Sequence, residues 1–217
     1  MLAQSTRAVG FEVSILDANA ENLSEEEVFN RIKDLSPKLL CFVAYGQNVN
    51  AGTVNMTGVI QIASYLKDRN INIPISVIGS HVQALPTKTL KKEKVIDFIF
   101  TNEAVYSLRN ILKLNDFTSI SLSKVKGIAY RDGNEVRITP SEKVVPTERM
   151  DIDLPGYAWD LLPFNKKPLD LYRAPMWHAE YDFEKRTPYA SLQTSLGCMF
   201  SCNFCMINII NRDDEDE

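Results

Sequence analysis

Val77-Ile78-Gly79-Ser80-His81-Val82-Gln83-Ala84-Leu85-Pro86 decides the architecture: an apolar strand, begun at Pro74, ends on a glycine and gives way to a polar turn. The same pattern repeats on either side. Upstream, Leu39-Leu40-Cys41-Phe42-Val43-Ala44-Tyr45 is a continuous apolar run, expected as a strand buried on both faces. Between the two lies a helical stretch with Val59, Ile62, Ala63 and Leu66 on one side. Downstream, Asp97-Phe98-Ile99-Phe100 reads as a further strand, followed by a helix carrying Leu108, Ile111 and Leu112. Nearer the start, Phe11-Glu12-Val13-Ser14-Ile15-Leu16 reads as a strand entering the polar turn Asp17-Ala18-Asn19. Ser24-Glu25-Glu26-Glu27 is a capping box, and Val28, Ile32 and Leu35 follow on one helical face. Strands alternating with helices through short links give an α/β fold, a Rossmann-like (flavodoxin-like) parallel sheet covered on both faces. In such sheets ligands gather at the carboxyl ends of the strands.

The hairpin Gly127-Ile128-Ala129-Tyr130 / Val136-Arg137-Ile138, turning at Asp132-Gly133, closes this domain over residues 1–138. Residues 139–187 are richer in proline and charge without sustained periodicity, and read as a linker or extended strap. Tyr189-Ala190-Ser191-Leu192-Gln193-Thr194-Ser195-Leu196 alternates like a new strand, and Gly197 leads it into a cysteine loop within a third segment, 188–217. Asp213-Asp214-Glu215-Asp216-Glu217 reads as a solvated tail. Residues 1–9 resemble the end of a helix running into Gly10. The sequence therefore predicts a first strand upstream of Met1, and a gap in the sheet beside the strand at Leu39.

The bulk composition narrows the classes. A chain of 217 residues buries roughly 70% of its unfolded surface. A formal charge of −4 argues against nucleic-acid partners, which need a basic face. No stretch approaches the roughly 20 apolar residues of a membrane span, and the start carries no apolar signal region. Of four cysteines, three cluster and Cys41 sits alone in an apolar run. That is no disulfide framework, so a reducing, cytoplasmic setting is expected, with Cys41 an inert core residue.

The cluster is Cys198-Met199-Phe200-Ser201-Cys202-Asn203-Phe204-Cys205, spaced C-x₃-C-x₂-C. Three thiolates on one short loop can hold three irons of a [4Fe–4S] cluster, leaving the fourth iron free for a substrate. The competing reading is a structural zinc site, with Cys202 and Cys205 as half of a knuckle. Its fourth ligand would be Cys41, His178 or His81, none of them at a recognisable spacing.

C-x₃-C-x-aromatic-C after a strand resembles the signature of the radical S-adenosylmethionine (SAM) superfamily. The α/β domain before it resembles the cobalamin-binding module of one large branch. The second likeness rests on residues 10–17, on the stretch 77–86 quoted above, and on Leu154-Pro155-Gly156-Tyr157-Ala158-Trp159-Asp160-Leu161-Leu162-Pro163, typical of the connector between the two domains. The resemblance implies that Cys198, Cys202 and Cys205 each ligate one iron, and that SAM chelates the fourth. One electron then cleaves SAM to methionine and a 5′-deoxyadenosyl radical. Phe204 would pack near the adenine. Gly79, Ser80, His81 and Glu103 would lie along the edge that meets cobalamin. Relatives methylate, rearrange or join carbons of small-molecule substrates, and draw electrons from a donor such as a flavodoxin or ferredoxin.

The likeness has departures. No D-x-H-x-x-G turn supplies a histidine to cobalt. The family's Gly-Gly pair is Gly79-Ser80, and the loop Tyr45-Gly46-Gln47-Asn48 lacks the usual serine or threonine. Asn102-Glu103 stands where the family has Gly-Glu, and Glu103 has a simpler reading as a helix cap. His81 and His178 also read as ordinary loop histidines. A radical SAM barrel needs about six βα units, on the order of 200 residues. The chain is therefore expected to be a fragment with no turnover alone. The alternative is a non-catalytic cobalamin- or nucleotide-binding module with structural zinc or a vestigial cysteine loop.

Overall fold

The computed structural model describes residues 1–46, 49–165, 172–173, 186–192, 197–198, 200, 202–205 and 207. Five strands form one sheet: β1 (Leu40–Val43), β2 (Ile75–Ile78), β3 (Phe98–Phe100), β4 (Ile128–Asp132) and β5 (Glu135–Ile138), in the order β1-β2-β3-β4-β5. β1, β2 and β3 run parallel, with Leu40 opposite Ile75 and Val77 opposite Ile99. The hairpin β4–β5 adds antiparallel, with Phe98 opposite Tyr130. Parallel neighbours need crossovers, and helices supply them. α3 (Val49–Asp68) links β1 to β2, and α4 (Ser80–Ala84) with α5 (Pro86–Lys92) links β2 to β3. α6 (Val105–Leu114) and α7 (Ser119–Leu122) precede the hairpin, while α1 (Leu2–Arg7) and α2 (Glu25–Leu35) open the chain.

Why β2 and β3 read as nearly continuous apolar runs is visible in their packing. Side chains alternate between faces along a strand. Phe98, Phe100 and Ile78 point to one core with Leu108, Ile111 and Ile128, while Val77 and Ile99 point to the other with Val59, Val82 and Leu90. Phe98 and Phe100 are fully buried and meet edge to face, 5.7 Å apart at 78°. Burying each contributes roughly 2–3 kcal/mol.

β1 departs from expectation. It is an edge strand, so Leu40, Cys41 and Phe42 are only half-buried and Val43 is exposed. Residues 11–16 form no strand, which corrects the reading of Phe11 to Leu16. A strand needs a partner edge, and Leu16 instead joins the small core of Val28, Ile32 and Leu66 between α2 and α3. The capping box at Ser24 forms as read: Ser24 Oγ accepts from Glu27 N at 3.3 Å, and Ser24 N donates to Glu27 Oε2 at 2.8 Å. Leu35, expected on the buried face of α2, is exposed because the chain turns away at Ser36 in a left-handed conformation, φ 44°.

Residues 139–165 run as a strap along α6 and α1. Its helical turn α8 (Met150–Asp153) carries Asp153, which receives Arg109 Nη1 at 2.6 Å, Tyr106 Oη at 2.7 Å and Arg149 Nε at 2.9 Å. Arg109 also donates to the carbonyls of Ser5 and Asp153, joining α1, α6 and the strap through one buried guanidinium. Farther along, Arg7 bridges Asp160 at 2.9 Å. Of residues 189–196, those described (189–192) form no strand. An isolated bridge pairs Arg173 with Pro188 instead. His178 and the acidic tail 213–217 lie outside the described residues. Among the described residues no helix is long and apolar enough to cross a membrane.

Candidate functional site at the carboxyl edge

The loops leaving β1, β2 and β3 meet at the carboxyl edge of the sheet, carrying Ala44-Tyr45, Gly79-Ser80-His81 and Thr101-Asn102-Glu103. Their backbones approach unusually closely. A Cβ on Gly79 would sit 2.4 Å from the Ala44 carbonyl oxygen, so only glycine lets the β1 and β2 loops touch. Gly52 of α3 is constrained in the same way by Ser80 Oγ, 2.1 Å from where its Cβ would lie. Ser80 is buried at the start of α4. His81, half-buried, shares a hydrogen bond between Nδ1 and Thr53 Oγ1 at 3.0 Å, and burial lowers its pKa from the usual imidazole value. It lines a groove of about 290 Å³ together with Met56, Ile60, Leu85 and Lys88.

Glu103 does not cap α6. That helix starts from Ala104, whose N–H donates to Asn102 Oδ1 at 3.0 Å, with Ala104 itself at φ 66°. The Glu103 carboxylate instead accepts from Val145 N at 2.6 Å and fastens the strap beside the edge. Asn102 reinforces this by donating Nδ2 to Glu142 O at 2.6 Å.

Two side chains to which the sequence reading gave no role, Gln83 and Tyr45, complete the edge. Gln83 is wholly buried and donates Nε2 to Asn102 O at 2.6 Å and to Tyr45 Oη at 3.0 Å. Its Oε1 is buried without a donor among the described residues. An orphaned acceptor of this kind costs about 1–3 kcal/mol. The signal was legible in part: an amide inside the apolar run Val82-Gln83-Ala84-Leu85 has to find partners at that edge. Tyr45 places a hydroxyl on the very loop that lacks the expected serine or threonine.

The edge fits a broad cofactor fringed with amides and oxygens. It offers a hydroxyl, a buried acceptor short of a donor, and close-packed backbone at three adjacent strand ends. The first 112 residues match the model of the B12-binding domain. The chain belongs to the B12-binding domain family.

Relatives of this B12-binding chain agree with the likeness drawn from the sequence to the cobalamin-containing branch of the radical SAM superfamily. An uncharacterized methyltransferase of Pyrococcus horikoshii is 25% identical over 194 residues, covering 89% of this chain and 37% of the relative. An anaerobic magnesium-protoporphyrin IX monomethyl ester cyclase of Synechocystis is 24% identical, covering 90% and 34%. A cobalamin-dependent radical SAM methyltransferase of Streptomyces tokunonensis is 26% identical, covering 70% and 20%. The chain thus spans only 20–37% of the length of these relatives.

The cysteine loop is a different kind of place. Cys198, Cys202 and Cys205 are all exposed, as are Phe200 and Phe204, the latter by 89%. A backbone hydrogen bond from Cys205 N to Cys202 O at 3.1 Å closes the turn between two of the thiols. Among the described residues no three His, Cys, Asp or Glu side chains stand together as a ready metal site. The donor set, three soft thiols on one turn, has the chemistry that iron–sulfur clusters take. Cys41 stands apart from it, half-buried in β1, its thiol pushed up to about 11 by burial despite a hydrogen bond with Ser76.

Proposed function

We propose that this chain is the cobalamin-binding part of a cobalamin-dependent radical SAM enzyme acting on a small-molecule substrate. The observation that carries the proposal is the carboxyl edge, where Gly79 against Ala44 and the Tyr45–Gln83–Asn102 chain build a polar platform on a family-defining sheet. Gly79, Ser80, His81 and Glu103 would line the platform against the corrin. Cys198, Cys202 and Cys205 would hold three irons of a [4Fe–4S] cluster, and Phe204 would lie against the adenine of SAM. When bound, these groups supply an electron for SAM cleavage and a carrier for a methyl group. The residues of the chain bind and orient them, while the strap, tied down at Glu103 and Arg109, sets the approach of the cysteine segment to the edge. An external donor such as a flavodoxin or ferredoxin would deliver the electron.

Two titrations test this. Hydroxocobalamin added to the protein should produce a saturable change in corrin absorbance. Anaerobic reconstitution with iron and sulfide should give a brown protein absorbing near about 400 nm, and replacing Cys198, Cys202 and Cys205 together with alanine should abolish the colour. Tight zinc without iron would move the cysteine segment to a structural role. Absence of corrinoid binding would remove the functional reading.

A further inference from the structure

We infer that Tyr45 contacts the bound corrinoid, its hydroxyl donating a hydrogen bond to an oxygen acceptor of that ligand. The inference rests on the cobalamin reading above and specifies one residue of its site.

Tyr45 is fixed from two sides. Its carbonyl accepts from Asn55 Nδ2 of α3 at 2.6 Å, which sets the turn leaving β1. Its hydroxyl oxygen accepts from Gln83 Nε2 at 3.0 Å, and the other Nε2 hydrogen goes to Asn102 O at 2.6 Å. The amide cannot be turned over, because its oxygen would then face a carbonyl oxygen. The polarity of the chain is therefore set: Gln83 donates to the phenol, and the phenol's own hydrogen points elsewhere. Among the described residues no acceptor for it is in reach. The residue as a whole is 40% exposed, at the carboxyl edge.

Protonation agrees with a donor role. Burial of the hydroxyl, aided by the nearby Glu103 carboxylate, pushes the phenol up to about 12, so the hydrogen is present throughout the neutral range. Gln83 holds this phenol in one direction while its own Oε1 is buried without a partner among the described residues, an orientation that suits a donor facing a ligand.

A corrinoid carries oxygen acceptors in two places, the acetamide carbonyls around the ring and the phosphate of the nucleotide tail. Titrating the chain with hydroxocobalamin and with diaquacobinamide, which keeps the acetamides but lacks the phosphate, separates them. Tyr45→Phe should weaken hydroxocobalamin binding roughly tenfold, with the far-UV spectrum and thermal midpoint of the ligand-free protein unchanged. An equal loss for cobinamide assigns an acetamide, and a loss confined to hydroxocobalamin assigns the phosphate. Gln83→Met, which removes the orienting donor, should also weaken binding, and the double variant should be no worse than Tyr45→Phe. Unchanged affinity for both corrinoids in Tyr45→Phe, or fully additive losses, would overturn the inference while leaving cobalamin binding intact. No binding by the unsubstituted chain would instead remove the reading on which the inference stands.

Discussion

Two buried polar networks, each resting on a side chain with little or no exposure, behave in opposite ways. Around Asp153 every charge is answered: Arg109, Arg149 and Tyr106 converge on one carboxylate, and the remaining Arg109 donors reach backbone carbonyls. Around Gln83 the account stays open, with a carbonyl lacking a donor and a phenol lacking an acceptor among the described residues. The first network fastens the strap to α1 and α6. The second sits where three parallel strands end. A network whose ions are all paired is a device for stability, since an unpaired ion there would be stranded in a dry interior, even though the Ser5 hydroxyl beside it is buried without a partner among the described residues. An incomplete network at a ligand edge keeps its unmet groups for something that arrives later.

The contrast can be broken by substitution. Arg109→Met should have the largest effect, costing about 3 kcal/mol because Asp153 loses its most buried partner. A chemical-denaturation midpoint close to that of the parent would show that the clamp is ornamental. Gly79→Ala comes next, at about 2 kcal/mol, because the added carbon meets a backbone carbonyl that cannot swing aside. It should weaken corrinoid binding as well, whereas Arg109→Met should leave the affinity of the folded fraction unchanged. Gln83→Met should cost only about 1 kcal/mol, since the lost bond to Asn102 is offset by removing an unsatisfied carbonyl. If it destabilises as much as Arg109→Met, the two networks are of the same kind and the distinction fails.

Acidity sharpens the comparison further. The hydrogen bonds of Arg149, opposed by burial and aided by Arg109 and Tyr106, hold the Asp153 carboxyl well below its ordinary value of 3.8. A carboxyl depressed in the folded state contributes stability above its unfolded value and loses it as pH falls toward the folded one. The thermal midpoint should therefore fall as pH drops below about 4, with a shallower fall in Asp153→Asn. Burial pushes the Tyr45 phenol up to about 12, so corrinoid affinity should show no step from it between about pH 6 and 9.

How much of this was legible varies with the physics of each element. Runs such as Ile75 to Ile78 and Phe98 to Phe100 are buried on both faces, so composition alone marks them. The helix cap at Ser24 is local chemistry and is equally readable. Residues 11–16 misled because a strand exists only with a neighbour, and a linear pattern does not show whether one is there. Glu103 misled for a related reason. It stands at the right distance from a helix to cap it, yet its partner is Val145, far along the chain. At the carboxyl edge, Gly79, Ser80 and His81 follow from the strand–turn pattern. The pairing of Tyr45 with Gln83 depends on how two loops fold over each other, and no spacing encodes that.

Among the described residues the sheet is open at both margins. β5 forms the far margin and is mostly exposed, Ile138 by 48%, while β1 forms the near margin and presents Val43, 64% exposed. Such a margin is a template for any other extended chain, whether a legitimate companion or an unwanted copy. Edge-to-edge pairing at high concentration is therefore the self-association this geometry favours, through the outer rims of two short strands.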